Sequence, residues 1–128
     1  MPVRDIIEGT PVLIVVDIQG GEENVSENPE EVGIPLMPGY DAAMERAPEL
    51  IETARSCDVP VIFFQEAHRR DLVDFGRELD GAEGIHLLEG DPGTEVSPAV
   101  GMRPDNYFIR KRRYSASSAR SWRSCSRG

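Results

Sequence analysis

Apolar residues in this chain gather into short runs separated by long polar stretches rich in glycine and proline. The first run, Val12 to Gln19, reads Val-Leu-Ile-Val-Val-Asp-Ile-Gln. Five consecutive apolar residues, mostly β-branched, predict a strand buried on both faces. Gly20, Gly21, Glu22 and Glu23 stop it. A second run, Val59 to Phe64, predicts another buried strand, with Gln65, Glu66 and His68 at its carboxyl end. A third, shorter run over Asn106 to Ile109 delivers Lys111 just past its end.

Between the first two runs the period changes from strand-like to helical. Ala43, Ala47, Leu50, Ile51 and Ala54 recur at helical spacing, so residues 41–57 are expected to form a helix with Asp41 as its N-cap. Pro48 either splits that helix or marks its true first turn. Strand, helix, strand is a βαβ unit with a right-handed crossover and a parallel sheet. Residues 24–39 form an excursion with three prolines, read as either a lid or a solvated linker. A short helix is expected over Asp71 to Leu79, and the remainder of 69–105 is broken by glycine and proline. Gly90-Asp91-Pro92-Gly93-Thr94 is turn chemistry, with no apolar helix after it to make a phosphate loop.

The length of 128 residues suits one domain with a modest core. No apolar run approaches the ~20 residues of a membrane span. The opening Met-Pro-Val-Arg-Asp lacks the apolar core of a signal peptide, so a cytoplasmic protein is expected. Cys57 and Cys125 make neither a disulfide framework nor a metal-ligand spacing. Charge is divided unevenly: residues 1–109 hold seven arginines and 23 acidic residues, whereas 110–128 hold seven basic residues and no acid. The acidic body argues against nucleic acid as a partner. The basic tail has no array of aromatics on which bases could stack, which argues against its being a nucleic-acid arm.

Parallel strands bring Asp17, Gln65, Glu66 and Lys111, the chain's single lysine, to one carboxyl rim. Ligands and chemistry collect at that rim in open α/β sheets. Asp17 alone is either a loop cap or a functional carboxylate. An Asp17–Lys111 pair is either structural or a poised acid–base pair, because a nearby ammonium keeps a carboxylate ionised. A haloacid-type phosphatase is disfavoured, since it wants a second Asp two residues on and position 19 is Gln.

Three stretches resemble the isochorismatase-like cysteine hydrolases. Val15-Val16-Asp17-Ile18-Gln19 is similar to that family's first strand, which ends in Asp-x-Gln. Gly93-Thr94-Glu95-Val96-Ser97-Pro98 is similar to its Gly-x-Glu-x-x-Pro stretch, and Lys111 to Ala116 resembles its Lys-x-x-x-Ser-Ala-Phe motif. The resemblance covers about residues 10–116. It implies a three-layer α/β/α, Rossmann-like fold around a mostly parallel sheet, here cut off after about three strands. It also implies hydrolysis of an amide or ureido C–N bond of a small molecule through an Asp-Lys-Cys triad. Asp17 matches the proton acceptor and Lys111 the lysine that supports the thiolate. Gln19, His68 and Tyr114 are the candidates for substrate contact. One branch of the family holds a metal through Asp-x-His and a further His. This chain has Glu66-Ala67-His68 with His86 well beyond, so no metal and no other cofactor is expected. Homo-oligomers are implied for the full-length family form. The alternative reading is a non-catalytic α/β binding module.

The family's nucleophilic Cys follows a later strand in a Gly-Val-x-Thr-x-x-Cys turn, and nothing here matches that turn. Cys57 ends the crossover helix, and Cys125 lies in Ser-Cys-Ser with no strand before it. The family motif continues with two aromatics and a Gly-Thr turn, where this chain has Ser117-Ser118-Ala119-Arg120. Codons can be chosen for residues 116–126 that, read one base earlier, give Phe-Phe-Gly-Thr-Glu-Leu-Glu-Ile-Leu-Leu. Residues 1–116 are therefore read as the first part of a hydrolase domain, and 117–128 as a basic, out-of-frame tail. The expected product is marginally stable, aggregation-prone and inactive, with an unpaired strand edge and an uncovered apolar face.

Overall fold

The computed structural model describes residues 8–20, 38–76 and 84–118. Its centre is a three-stranded parallel sheet of β1 (Leu13–Val16), β2 (Val61–Glu66) and β3 (Tyr107–Lys111), in the order β1-β2-β3. Val16 is level with Phe64, and Glu66 with Lys111. The α/β architecture is the expected one; the strand limits differ in instructive ways.

β2 is the central strand, and all six of its residues are buried. It runs through Gln65 and Glu66, which the sequence placed beyond its end. Their backbone groups pair with Arg110 and Lys111, so β3 also extends to include Lys111. β1 is shorter than its apolar run and is not buried on both faces. Among the described residues it pairs only with β2. Val15 is buried, whereas Val12, Ile14 and Val16 are 40–48% exposed.

One face of the sheet carries Val15, Val61 and Phe63. It packs against Ile51 and Ala54 of α1 (Tyr40–Ser56) and against Val100. Burying one such large apolar side chain contributes about 1.5–3 kcal/mol. The other face holds a smaller cluster of Ile62, Phe64 and Ile109, with Ala116 against it. α1 passes through Pro48 as one helix. Its N-cap is Gly39 rather than Asp41, which instead lies in the first turn, where the helix dipole favours an acid. At its end Asp58 takes a left-handed φ of 55°. Asp58 N–H then donates to Arg55 O and Val59 N–H to Ala54 O, the paired bonds of a Schellman turn. Val59 is thereby used in the turn, which delays β2 to Val61.

Residues 71–75 form turns rather than the first half of a helix. Leu72 has φ 60°, which breaks the helical path, and residues 77–79 lie outside the described residues. So do residues 24–37 of the proline-rich excursion and 119–128 of the tail. Short 3-10 turns occur at Pro92–Thr94, Pro98–Val100 and Ala116–Ser118. No helix among the described residues is long and apolar enough to cross a membrane.

Candidate active site

β1 ends abruptly because Asp17 adopts a left-handed φ of 57°, a region that few residues other than glycine, Asn and Asp enter. Its N–H still donates to Phe64 O at 3.1 Å, so the strand's last bond is kept while the chain turns. Gln19 then bridges the gap. Its Oε1 accepts from Glu66 N–H at 2.8 Å, and its Nε2 donates to Glu66 O at 2.8 Å and Thr94 O at 2.6 Å. The Gly93–Pro98 stretch is drawn in beside it: Gly20 N–H donates to Glu95 O, and Ser97 N–H to Ile18 O. Gln65, fully buried, donates to Thr94 O at 2.7 Å and accepts from Arg110 Nε at 2.9 Å.

The rim's charges meet at Lys111. Its side chain is 2% exposed, and Nζ lies 2.6 Å from Glu66 Oε2 and 2.8 Å from Asp17 Oδ2. Burial works against the ammonium, but its hydrogen bonds to the two carboxylates outweigh that and raise its pKa. Lys111 is therefore held cationic and cannot serve as a base at neutral pH. Burial also works against ionised Glu66, yet the bonds from Lys111 and His68 bring its carboxyl below the usual range. Asp17 is different. Burial dominates over the Lys111 bond, and its pKa is raised. With its side chain 34% exposed, it is the reachable member of the group. A carboxylate more basic than usual, beside a fixed cation, can take a proton from a substrate or nucleophile while the cation steadies developing negative charge.

Glu66 faces two ways. Its second oxygen, Oε1, accepts from His68 Nε2 at 3.0 Å. His68 is fully buried, its ring 4.6 Å from that of Phe75 and 5.8 Å from that of His86. His86 is drawn in because the following segment bonds to His68 itself: His68 N–H donates to Leu87 O, and Glu89 N–H to His68 O. Donor atoms of Glu66, His68 and His86 lie within 4.8 Å of one another, and all three residues are buried. His86 Nδ1 donates to Gly84 O at 2.7 Å, which leaves the lone pair on Nε2. One carboxylate and two imidazoles are donors suited to a divalent transition metal.

The structure thus brings Asp17 and Lys111 into contact. It sets Gln19 in backbone hydrogen bonds beside them and buries His68 behind Glu66. Tyr114 stands on the bend after β3, 74% exposed. Cys57 caps the far end of α1, at the edge where β2 begins, and Cys125 lies outside the described residues. Glu66 is shared by both halves of the site, whereas the sequence offers it as a rim residue and as the acid of Glu66-Ala67-His68 and not among the catalytic candidates. Its signal was a buried-strand position occupied by an acid. His86 is set aside in the sequence as too far beyond His68 to share a metal, yet folding of the irregular segment between them brings the two within one cluster.

A family model described as the isochorismatase domain matches residues 11–122. Among solved structures, N-carbamoylsarcosine amidase from Thermoplasma acidophilum is similar at 26% identity and TM-score 0.62. That match covers 84% of this chain and 55% of the amidase. An isochorismatase family protein from Desulfovibrio vulgaris is similar at 21% identity and TM-score 0.65, covering 91% of this chain and 60% of its own. Pyrazinamidase of Pyrococcus horikoshii, a complex with zinc, is similar at 24% identity and TM-score 0.58, covering 78% and 50%. The chain spans about half the length of the solved structures it matches. No curated protein matches it.

Proposed function

This chain belongs to the isochorismatase family, and on that premise we propose that its rim is the acid–lysine part of a cysteine hydrolase site. The reaction is cleavage of an amide or ureido C–N bond of a small molecule in the cytoplasm. The observation that carries this is Lys111 Nζ, buried and held between Glu66 and the partly open Asp17.

In this reading a thiol gives its proton to Asp17 and adds to the substrate carbonyl. The tetrahedral adduct collapses as the amine leaves with that proton, and water hydrolyses the thioester. Asp17's raised pKa suits it to take and return a proton, and Lys111 stabilises the thiolate and the oxyanion. Gln19 holds the β1 turn to Glu66, and of the other two expected substrate contacts Tyr114 is exposed while His68 is buried behind Glu66. Glu66, His68 and His86 would hold a divalent metal such as zinc, which supplies a Lewis acid and an activated water when bound.

No cysteine among the described residues reaches this rim. We therefore read residues 1–116 as the first part of one hydrolase domain, 117–128 as an out-of-frame tail, and the 128-residue chain as inactive. The test is to resequence the gene through codon 116 and the following ~300 bases, then express any restored frame. Ammonia release from primary amides and N-carbamoyl amino acids is expected from the restored protein and abolished by D17N, with none from the 128-residue chain. Turnover by the 128-residue chain, or a gene that confirms the present tail with no cysteine-bearing frame beyond, would overturn the reading.

A further inference from the structure

Arg112 follows Lys111 directly, yet its contacts lie on the far side of Glu66. Its Nη1 donates to Ala67 O at 3.1 Å, the carbonyl between Glu66 and His68. The same nitrogen donates to Asp74 Oδ2 at 2.7 Å. Its Nη2 donates to Glu89 Oε1. Each partner is tied to the histidines. Asp74 precedes Phe75, whose buried ring lies 4.6 Å from that of His68 and 5.2 Å from that of His86. Glu89 N–H bonds to His68 O, three residues after His86. One guanidinium thus ties Ala67 and Asp74, seven residues apart, to Glu89 of the segment that carries His86.

We propose that Arg112 is the positioning residue of the Glu66–His68–His86 cluster, clamping the two loops that carry the imidazoles so that the three donors converge on one cation. This rests on reading that cluster as a divalent-metal site. A planar fork is needed, because a lysine ammonium at the end of a flexible stem reaches one of these partners but does not hold all three. Outer partners of metal ligands commonly change metal affinity by about 10–100-fold. The charge on Arg112 pulls the other way: as a cation near a cation site it repels the metal, so removing it for electrostatic reasons alone would strengthen binding.

The experiment is titration of the 128-residue chain with Co2+, followed by calorimetry and by visible d–d absorption. Wild type, R112K, R112Q, D74N, R110Q and H86A are compared. The expected result is uptake of one Co2+ by wild type, lost in H86A, and at least tenfold weaker in both R112K and R112Q with an altered d–d spectrum. D74N, which weakens one leg of the clamp and also alters the 4.0 Å approach of Asp74 to His68 Nδ1, is expected to weaken binding as well. R110Q removes a charge 3.5 Å from Glu89 without touching the 67 and 74 segments, and is expected to stay within about twofold of wild type. Unchanged affinity and spectrum in R112K and R112Q, tighter binding in R112Q, or an equal loss in R110Q would each overturn the positioning role. If R112Q does not fold, R112K decides. No Co2+ uptake by wild type, or uptake insensitive to H86A, removes the metal reading and this proposal with it.

Discussion

Gln19 and Glu66 exchange two hydrogen bonds through one side-chain amide. Gln19 Oε1 accepts from Glu66 N–H, and Nε2 donates to Glu66 O, both at 2.8 Å. The amide thereby substitutes for the next rung of the β1–β2 ladder at the point where Asp17 leaves the strand. A third bond, to Thr94 O, adds the Gly93–Pro98 stretch to the same node. Replacing Gln19 by leucine strands a backbone donor and an acceptor of Glu66, while Thr94 O keeps its bond from Gln65. Each costs about 1–3 kcal/mol when left without a partner, less whatever water recovers. Q19L is expected to lose about 2–4 kcal/mol in urea denaturation. A loss under about 0.5 kcal/mol would show that the amide is dispensable to the rim.

Lys111 neutralises two carboxylates from a position with almost no solvent contact. K111M therefore leaves Glu66 buried and unmatched, and is expected to destabilise the chain by about 3–5 kcal/mol. The partner substitution should relieve this. E66Q removes the buried charge while keeping the shape, so E66Q/K111M is expected to be more stable than K111M alone. A double-mutant cycle by chemical denaturation measures the coupling. Additive effects would mean that the 2.6 Å contact between them contributes nothing specific.

The same pair sets a pH window for stability. Glu66 is held below its ordinary 4.5, so its contribution is complete above that value and is lost as pH falls through the lower folded pKa. Lys111 is held above its ordinary 10.5, so its contribution is complete below that value and is lost as pH rises through the higher folded pKa. Asp17 has the opposite sign. Burial raises it above 3.8, so the folded chain favours its protonated form, and Asp17 costs stability as pH rises from 3.8 to its folded pKa. Urea midpoints against pH should therefore show an acid limb that flattens in E66Q and grows steeper in D17N. An acid limb unaltered by E66Q would assign it to other carboxylates, with the salt-bridged Asp71 and Asp74 the next to examine.

The parts of the fold legible in sequence are those with a period. The apolar runs and the helical spacing of Ala47, Leu50, Ile51 and Ala54 located the three strands and the α-helix of the described residues, and parallel order then brought Asp17 and Lys111 together. What escaped was set by backbone geometry and by distance along the chain. Gln65 and Glu66 look like strand terminators, yet they are central, because Thr94, Arg110, Lys111 and Gln19 satisfy their polar groups. The left-handed turns at Asp17, Asp58 and Leu72 shift three boundaries, and none involves a glycine that would advertise it. The pairing of His68 with Leu88, which carries His86 inward, is a tertiary contact between irregular segments and leaves no pattern in sequence.

β1 presents Ile14 and Val16 on one face, with Val12 just before it, at 40–48% exposure, and its outer edge is unpaired among the described residues. An apolar edge strand with free backbone groups is a template for pairing with another chain. The 128-residue chain is therefore expected to associate as concentration rises. I14K should suppress this. The lysine ammonium can sit in water from that position, its stem lying along the apolar face, and a charge opposes edge-to-edge pairing. Because Ile14 is already 40% exposed, the stability cost should stay below about 1 kcal/mol. Light scattering across a concentration series, with urea midpoints on the same samples, separates the two effects. Less association at unchanged stability supports the edge as the sticking point. Equal association in I14K would place it on another surface, with Tyr107 and Phe108 of β3 the next exposed apolar pair to substitute.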